Sequence, residues 1–228
     1  LKVRDAFIAA YPHDELGLDI NKDLTFTQYH CGLEMGISPY DMIHVGDSIV
    51  REGTFEMLCT ILGVSYQPGS SMIIPLGHKD SPFKNKYESI LTRFGSNVIE
   101  NPEINKIAWN TQFEYNWFNK YDIIMSGRVD DGMLAKYILD ETRPSGLKDM
   151  VTRFLPEFSG YDLKGAPSSK SKPENITKFW SNVEINELSK YCGLDCDTTL
   201  RLMIFFYDKM VEHDLYKLYR NMLMMGVR

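Results

Sequence analysis

The chain has 228 residues, enough for one large domain or two small ones, and its 43% hydrophobic and 12% aromatic content can build a sizeable core. Its 31 acidic residues outnumber 25 Lys and Arg, for a formal charge of −6, which argues against a protein that coats nucleic acid by bulk positive charge. No apolar run reaches the roughly 18 residues that span a bilayer, so a soluble, cytoplasmic protein without a membrane partner is expected.

Residues 1–40 are weakly patterned, interrupted by Pro12, Gly17, Gly32, Gly36 and Pro39, and form an N-terminal segment of unassigned role. From Met42 the pattern changes. Met42 to Val45 leads into a turn, residues 58–66 read as a buried strand, Gln67-Pro68-Gly69-Ser70 as a hairpin, and residues 71–76 as a third strand, together an antiparallel meander. Residues 86–94 have helical spacing. Residues 106–109 are a short strand running into Asn110 and a helix through Phe118, and 131–139 and 146–155 are helical by apolar periodicity. Three early strands followed by strand-helix units predict an α/β domain, a mixed sheet covered by helices.

Residues 156–178 are rich in Ser, Lys, Gly and Pro and read as a long flexible loop. Its Lys164, Lys170, Lys172 and Lys178 can reach phosphate, although a simply solvated loop is the expected state. From Val183 two long helices are predicted, the second rich in Met, Leu and Tyr and leading out of the domain at 215–228. Beginning at Leu1 and ending inside a helical pattern at Arg228, the sequence reads as a piece of a longer chain. Cys192 and Cys196 are spaced C-x3-C with no second pair or histidines to complete a zinc site, so buried, reduced thiols are expected.

The most informative stretch is Tyr191-Cys192-Gly193-Leu194-Asp195. Four residues apart on a helix, the phenol of Tyr191 and the carboxylate of Asp195 share a face. Such a pair suits metal-assisted phosphodiester hydrolysis, in which a carboxylate holds a hard divalent cation and a phenol orients the attacking water. Taken alone it better describes an amphipathic helix with a buried Tyr and an exposed Asp. Upstream, the strand end Ile107-Ala108-Trp109 runs into Asn110-Thr111-Gln112-Phe113-Glu114, where Asn110 can reach a substrate and Glu114 a metal. Between the two stretches lie Asp131-Gly132-Met133-Leu134 and Leu147-Lys148-Asp149-Met150.

In order and spacing these motifs resemble the DEDD-type 3′–5′ exonucleases with the tyrosine variant of the third motif, as in the proofreading domain of polymerase I and its phage relatives. That family carries Asn-x-x-aromatic-Asp and Tyr-x-x-x-Asp, with Asp-x-Met-Leu and Leu-Lys-x-Leu-like helices between them. The resemblance covers residues 42–228 and implies a ribonuclease H-like mixed sheet flanked by helices, with the exonuclease domain at 41–214. It implies two Mg²⁺ or Mn²⁺ ions held by Asp47, Glu114 and Asp195, with Tyr191 assisting catalysis and Asn110 and Phe113 contacting the substrate. Partners implied are single-stranded DNA or a primer 3′ end and a polymerase domain in cis or in trans. The location would be the host bacterial cytoplasm if the chain is phage-encoded.

The sequence departs from the pattern in two places. The first motif, Asp-x-Glu, falls on Asp47-Ser48-Ile49, which lacks its Glu unless Glu52 or Glu56 stands in; the second motif carries Glu114 in place of Asp. A carboxylate moved by ~1 Å can cost ~100-fold in rate. The alternative is therefore a catalytically degenerate fold that binds DNA or braces a polymerase, with Trp109, Phe113, Tyr115, Trp117 and Phe118 available to stack on bases. A ribonuclease of the same fold is also open, since the metal chemistry does not depend on the sugar. Val45-Gly46-Asp47 further resembles a haloacid-dehalogenase-type phosphatase motif, but residues 1–46 lack the Asp-x-Asp which that family requires.

Overall fold

The computed structural model describes residues 42–45, 50–53, 56–59, 61–142, 145–166, 179–180 and 182–226, with side chains described from residue 61 onward except at 84 and 226. The strands are β1 (Met42–Val45), β2 (Val50–Gly53), β3 (Glu56–Cys59), β4 (Leu62–Gln67), β5 (Ser70–Ile74), β6 (Asn105–Ala108) and β7 (Val129–Asp131). The helices are α1 (Tyr87–Phe94), α2 (Thr111–Asn119), α3 (Gly132–Leu139), α4 (Leu147–Phe154) and α5 (Ile185–Glu212). Five strands form one sheet in the order β5-β4-β1-β6-β7. β4 is antiparallel to β1 and β5, and β6 is parallel to β1 and β7.

The single strand expected at 58–66 is two. Glu56–Cys59 pairs with Val50–Gly53 in a separate hairpin, and only Leu62 onward enters the main sheet. The meander of β1, β4 and β5 survives with that hairpin inserted. Its turn at Pro68-Gly69 uses a left-handed Gly69 (φ 82°), and the Gly69 N–H donates to Asp197 Oδ1 on α5 at 2.6 Å.

Alternation along β4 sorts the two layers. Leu62 and Val64 pack with Ile90, Leu91, Phe94, Trp117 and Phe118 on one face. On the other face Ile107 and Trp109 meet Ala135, Met150, Leu200, Met203 and Phe206. Gly63 faces α5, where an added Cβ would lie 2.5 Å from Cys192 Sγ and 2.6 Å from Cys196 Sγ. The missing side chain lets the helix approach the strand. Both cysteines are buried free thiols, as expected.

Asp131 ends β7 and caps α3, its Oδ1 accepting from the N–H groups of Met133 (2.8 Å) and Leu134 (3.1 Å). The start expected for that helix thus belongs to a three-residue strand too short to show alternation. Residues 156–166 are not simply solvated: Phe158 and Leu163 are buried and Pro156–Phe158 forms a 3₁₀ turn, while 167–178 lie outside the described residues.

In place of a second long helix after α5, the chain breaks at Asp214 (φ 57°) and winds through Tyr216–Leu218, Tyr219–Leu223 and Met224–Gly226 as short α, π and 3₁₀ turns. The cause is a polar latch on β7. The Tyr219 hydroxyl accepts from the Asp131 N–H (2.7 Å), and Arg220 donates to Asp130 Oδ1 (2.6 Å) and to the Val129 carbonyl (3.1 Å). No described helix is long and apolar enough to cross a membrane.

Candidate active site

Parallel pairing of β1, β6 and β7 sets their carboxyl ends along one edge of the sheet, with His44 opposite Ile107 and Ala108 opposite Asp131. Ligands of open α/β sheets gather at this edge. Past β6, Asn110 takes a left-handed backbone (φ 72°, ψ 61°) and begins α2, a conformation Asn tolerates better than most residues. Asn110 and Phe113 are exposed, whereas Glu114 is only 1% exposed. The first turn of α2 thus offers an amide and a ring to solvent and holds a carboxylate inside.

Asp195, 1% exposed, lies on α5. Its Oδ1 accepts from the Tyr161 hydroxyl at 2.5 Å and from the Lys148 ammonium. Its Oδ2 is buried and has no hydrogen-bond partner among the described residues. The Lys148 Nζ sits 3.4 Å from the Tyr161 ring centroid and 4.2 Å from that of Tyr191. Tyr191 in turn lies 5.9 Å from the Tyr161 ring and 5.5 Å from Trp180. Burial first, and the Asp195 charge next, push the Tyr161 phenol well above its usual range, so it stays protonated and donates. Thr198 Oγ1 lies 3.2 Å from the same hydroxyl and donates to the Leu194 carbonyl.

The structure gathers Tyr191 and Asp195 around one ammonium, where their four-residue spacing implied a shared face alone. Glu114, Asn110 and Phe113 share the first turn of α2. Asp47 and Ile49 lie outside the described residues, as do the side chains of Glu52 and Glu56, whose backbones belong to the separate hairpin. Among the described residues no three acidic, His or Cys side chains are close enough together to hold a metal ion. The buried, unsatisfied Asp195 Oδ2 is nonetheless an acceptor that fits a cation.

Sequence reasoning missed Lys148, Tyr161 and Thr198. The Leu147-Lys148 pair was visible as a motif, but nothing local says that its ammonium reaches a carboxylate 47 positions away. Tyr161 was hidden in a stretch whose composition reads as loop.

A family model described as 3′–5′ exonuclease, of the DNA polymerase A type, matches residues 55–211. The chain belongs to this family. Among sequence relatives, the DNA polymerase of Bacillus phage SP01 is 24% identical over 167 residues, 72% of this chain and 18% of that protein. The chain thus spans less than a fifth of the polymerase it matches. Among solved structures, Escherichia coli RNase D, an exoribonuclease involved in structured RNA processing, has a TM-score of 0.57 at 14% identity, covering 82% of this chain and 44% of that one. Brucella melitensis NrnC with bound Mg²⁺ has a TM-score of 0.53 at 16% identity, covering 79% of each chain. At such identities the likeness is one of fold, the ribonuclease H-like DEDD exonuclease fold.

Proposed function

We propose that this exonuclease domain hydrolyses the 3′-terminal phosphodiester of single-stranded or frayed DNA, serving as the proofreading unit of a DNA polymerase in cis or in trans. Residues 41–214 would form the unit, working in the cytoplasm of a bacterial host if the chain is phage-encoded. The observation that carries the reading is the buried Asp195 with its unsatisfied Oδ2 beside Tyr191, in a chain whose family is 3′–5′ exonuclease. DNA is favoured over RNA by the likeness to a phage DNA polymerase.

Asp195, through Oδ2, together with Glu114 and Asp47 would hold Mg²⁺ or Mn²⁺. Such ions supply a hydroxide at neutral pH and stabilise the leaving 3′ oxygen. The chain's own groups do the positioning. Exposed Phe113 stacks on the terminal base and Asn110 hydrogen-bonds the terminal nucleotide. The Tyr191 phenol orients the attacking water, and Tyr161, by donating to Oδ1, fixes the rotation of the Asp195 carboxylate.

A second reading, a DNA-binding or polymerase-bracing module without activity, is favoured by the Lys148 contact with Asp195. One experiment separates the two. A 5′-labelled single strand incubated with Mn²⁺ or Mg²⁺ should shorten from its 3′ end with the natural chain and remain intact with Asp195→Ala. An intact strand with the natural chain, alongside retained DNA binding, would select the bracing module.

A further inference from the structure

Lys148 lies in the Leu-Lys stretch that the family resemblance includes, and the spacing of that motif does not assign its contact with Asp195. Its ammonium bonds Asp195 Oδ1, the same oxygen that takes the Tyr161 hydroxyl, and is caged between the rings of Tyr161 and Tyr191 at 3.4 and 4.2 Å. The cage favours a cation, because ring faces carry the negative end of the aromatic quadrupole. The lysine side chain is 29% exposed whereas that of Asp195 is 1% exposed, so the ammonium lies between the buried carboxylate and solvent. Among the described residues nothing bonds Asp195 Oδ2, which leaves that oxygen open to another electrophile.

We propose that Lys148 is a tethered cation that shares Asp195 with the divalent ion, neutralising the carboxylate when no ion is present and weakening ion binding when one is. The proposal rests on the exonuclease reading above. A buried carboxylate with no counter-charge is costly, and α5 carries Asp195 in the middle of the fold. With Lys148 in place the helix packs without needing a metal. A divalent ion on Oδ2 then meets a positive charge bonded to the neighbouring oxygen of the same carboxylate, and that repulsion in a partly buried setting lowers its affinity. Lys148 is in this account a positioning and affinity-setting residue, because it acts on the ion through Asp195.

The test measures Mn²⁺ binding directly, by calorimetry and by the electron spin resonance of free Mn²⁺, on the whole chain without DNA. Lys148→Gln removes the charge and Lys148→Arg keeps it. The expected result is Mn²⁺ binding ~10-fold tighter or more in Lys148→Gln, with a larger Mn²⁺-induced rise in Tm than in the natural chain. Lys148→Arg should bind as the natural chain does, and adding Asp195→Ala to Lys148→Gln should abolish the gain. A purely structural role would leave Mn²⁺ binding by Lys148→Gln no tighter than by the natural chain. Equal or weaker binding by Lys148→Gln, or identical behaviour of the two variants, overturns the proposal. If that happens while Asp195→Ala still abolishes digestion, the exonuclease reading stands and only Lys148 loses its role. If no variant binds Mn²⁺ and the natural chain leaves the labelled strand intact, both fall.

Discussion

Gly63→Ala adds one methyl group at the closest approach of β4 to α5. The new Cβ would stand 2.5 Å from Cys192 Sγ and 2.6 Å from Cys196 Sγ, against the ~3.5–4 Å of ordinary non-bonded contact. Strand and helix must therefore separate by ~1 Å, or both thiols must rotate inside a packed layer. Overpacking of this kind costs ~1–3 kcal/mol. The effect should reach the site, because Cys196 adjoins Asp195 in sequence and a ~1 Å displacement of a working group can cost ~100-fold in rate. Urea unfolding should show a lower midpoint at unchanged m, and 3′ digestion of the labelled strand should slow by more than the loss of folded protein explains. Replacing both thiols, as Cys192→Ala with Cys196→Ala, removes the two atoms in the way, so Gly63→Ala should cost clearly less in that background. An unchanged urea midpoint in the single variant would refute the reasoning, and so would a loss of equal size with and without the thiols.

Two further predictions concern stability. Asp130 is fully buried and accepts from Arg128 Nε and from Arg220 Nη1, each at 2.6 Å. Arg128 keeps the Tyr207 hydroxyl, Arg220 keeps the Val129 carbonyl and both are partly exposed, so Asp130→Ala should cost ~1–3 kcal/mol, with faster amide exchange at residues 216–226 as the latch on β7 opens; exchange that stays slow there would mean the latch does not depend on Asp130. Lys106, 1% exposed, donates to the carbonyls of Asn101 (2.5 Å) and Ser126 (2.6 Å), and burial lowers its pKa to about 8. Below pH 8 the lysine is charged in both states and the burial cost is constant. Between about pH 8 and the unfolded value near 10.4 the unfolded chain holds the proton that the folded chain has released, so stability gained from this residue rises with pH, by up to ~1.4 kcal/mol per unit. The unfolding free energy of the natural chain minus that of Lys106→Met should accordingly rise by ~2–3 kcal/mol between pH 7.5 and pH 10, and a flat difference would contradict the lowered pKa.

Local periodicity and turn chemistry determined much of this protein. The 3.6-residue spacing marked 86–94, the helix through Phe118 and 146–155, and Pro68-Gly69 marked the hairpin that joins β4 to β5. Each signal lies within a few residues of its element, where propensity and side-chain alternation act directly. The Tyr191 and Asp195 pair was legible for the same reason, since a helix fixes the face that residues four apart share.

What the sequence could not carry depends on distant partners. The strand β7 is three residues long and exists because β6 pairs with it in parallel. The helical pattern after α5 bends back because Asp130 and Asp131, some ninety positions earlier, bind Arg220 and Tyr219. At the site, Asp195 was readable as an acid on a helix face, but the ammonium of Lys148 and the hydroxyl of Tyr161 reach it from two other segments. Spacing along one helix is set by backbone geometry. Which side chain from elsewhere fills the space beside a buried carboxylate is set by how the layers pack, and only the tertiary structure decided it.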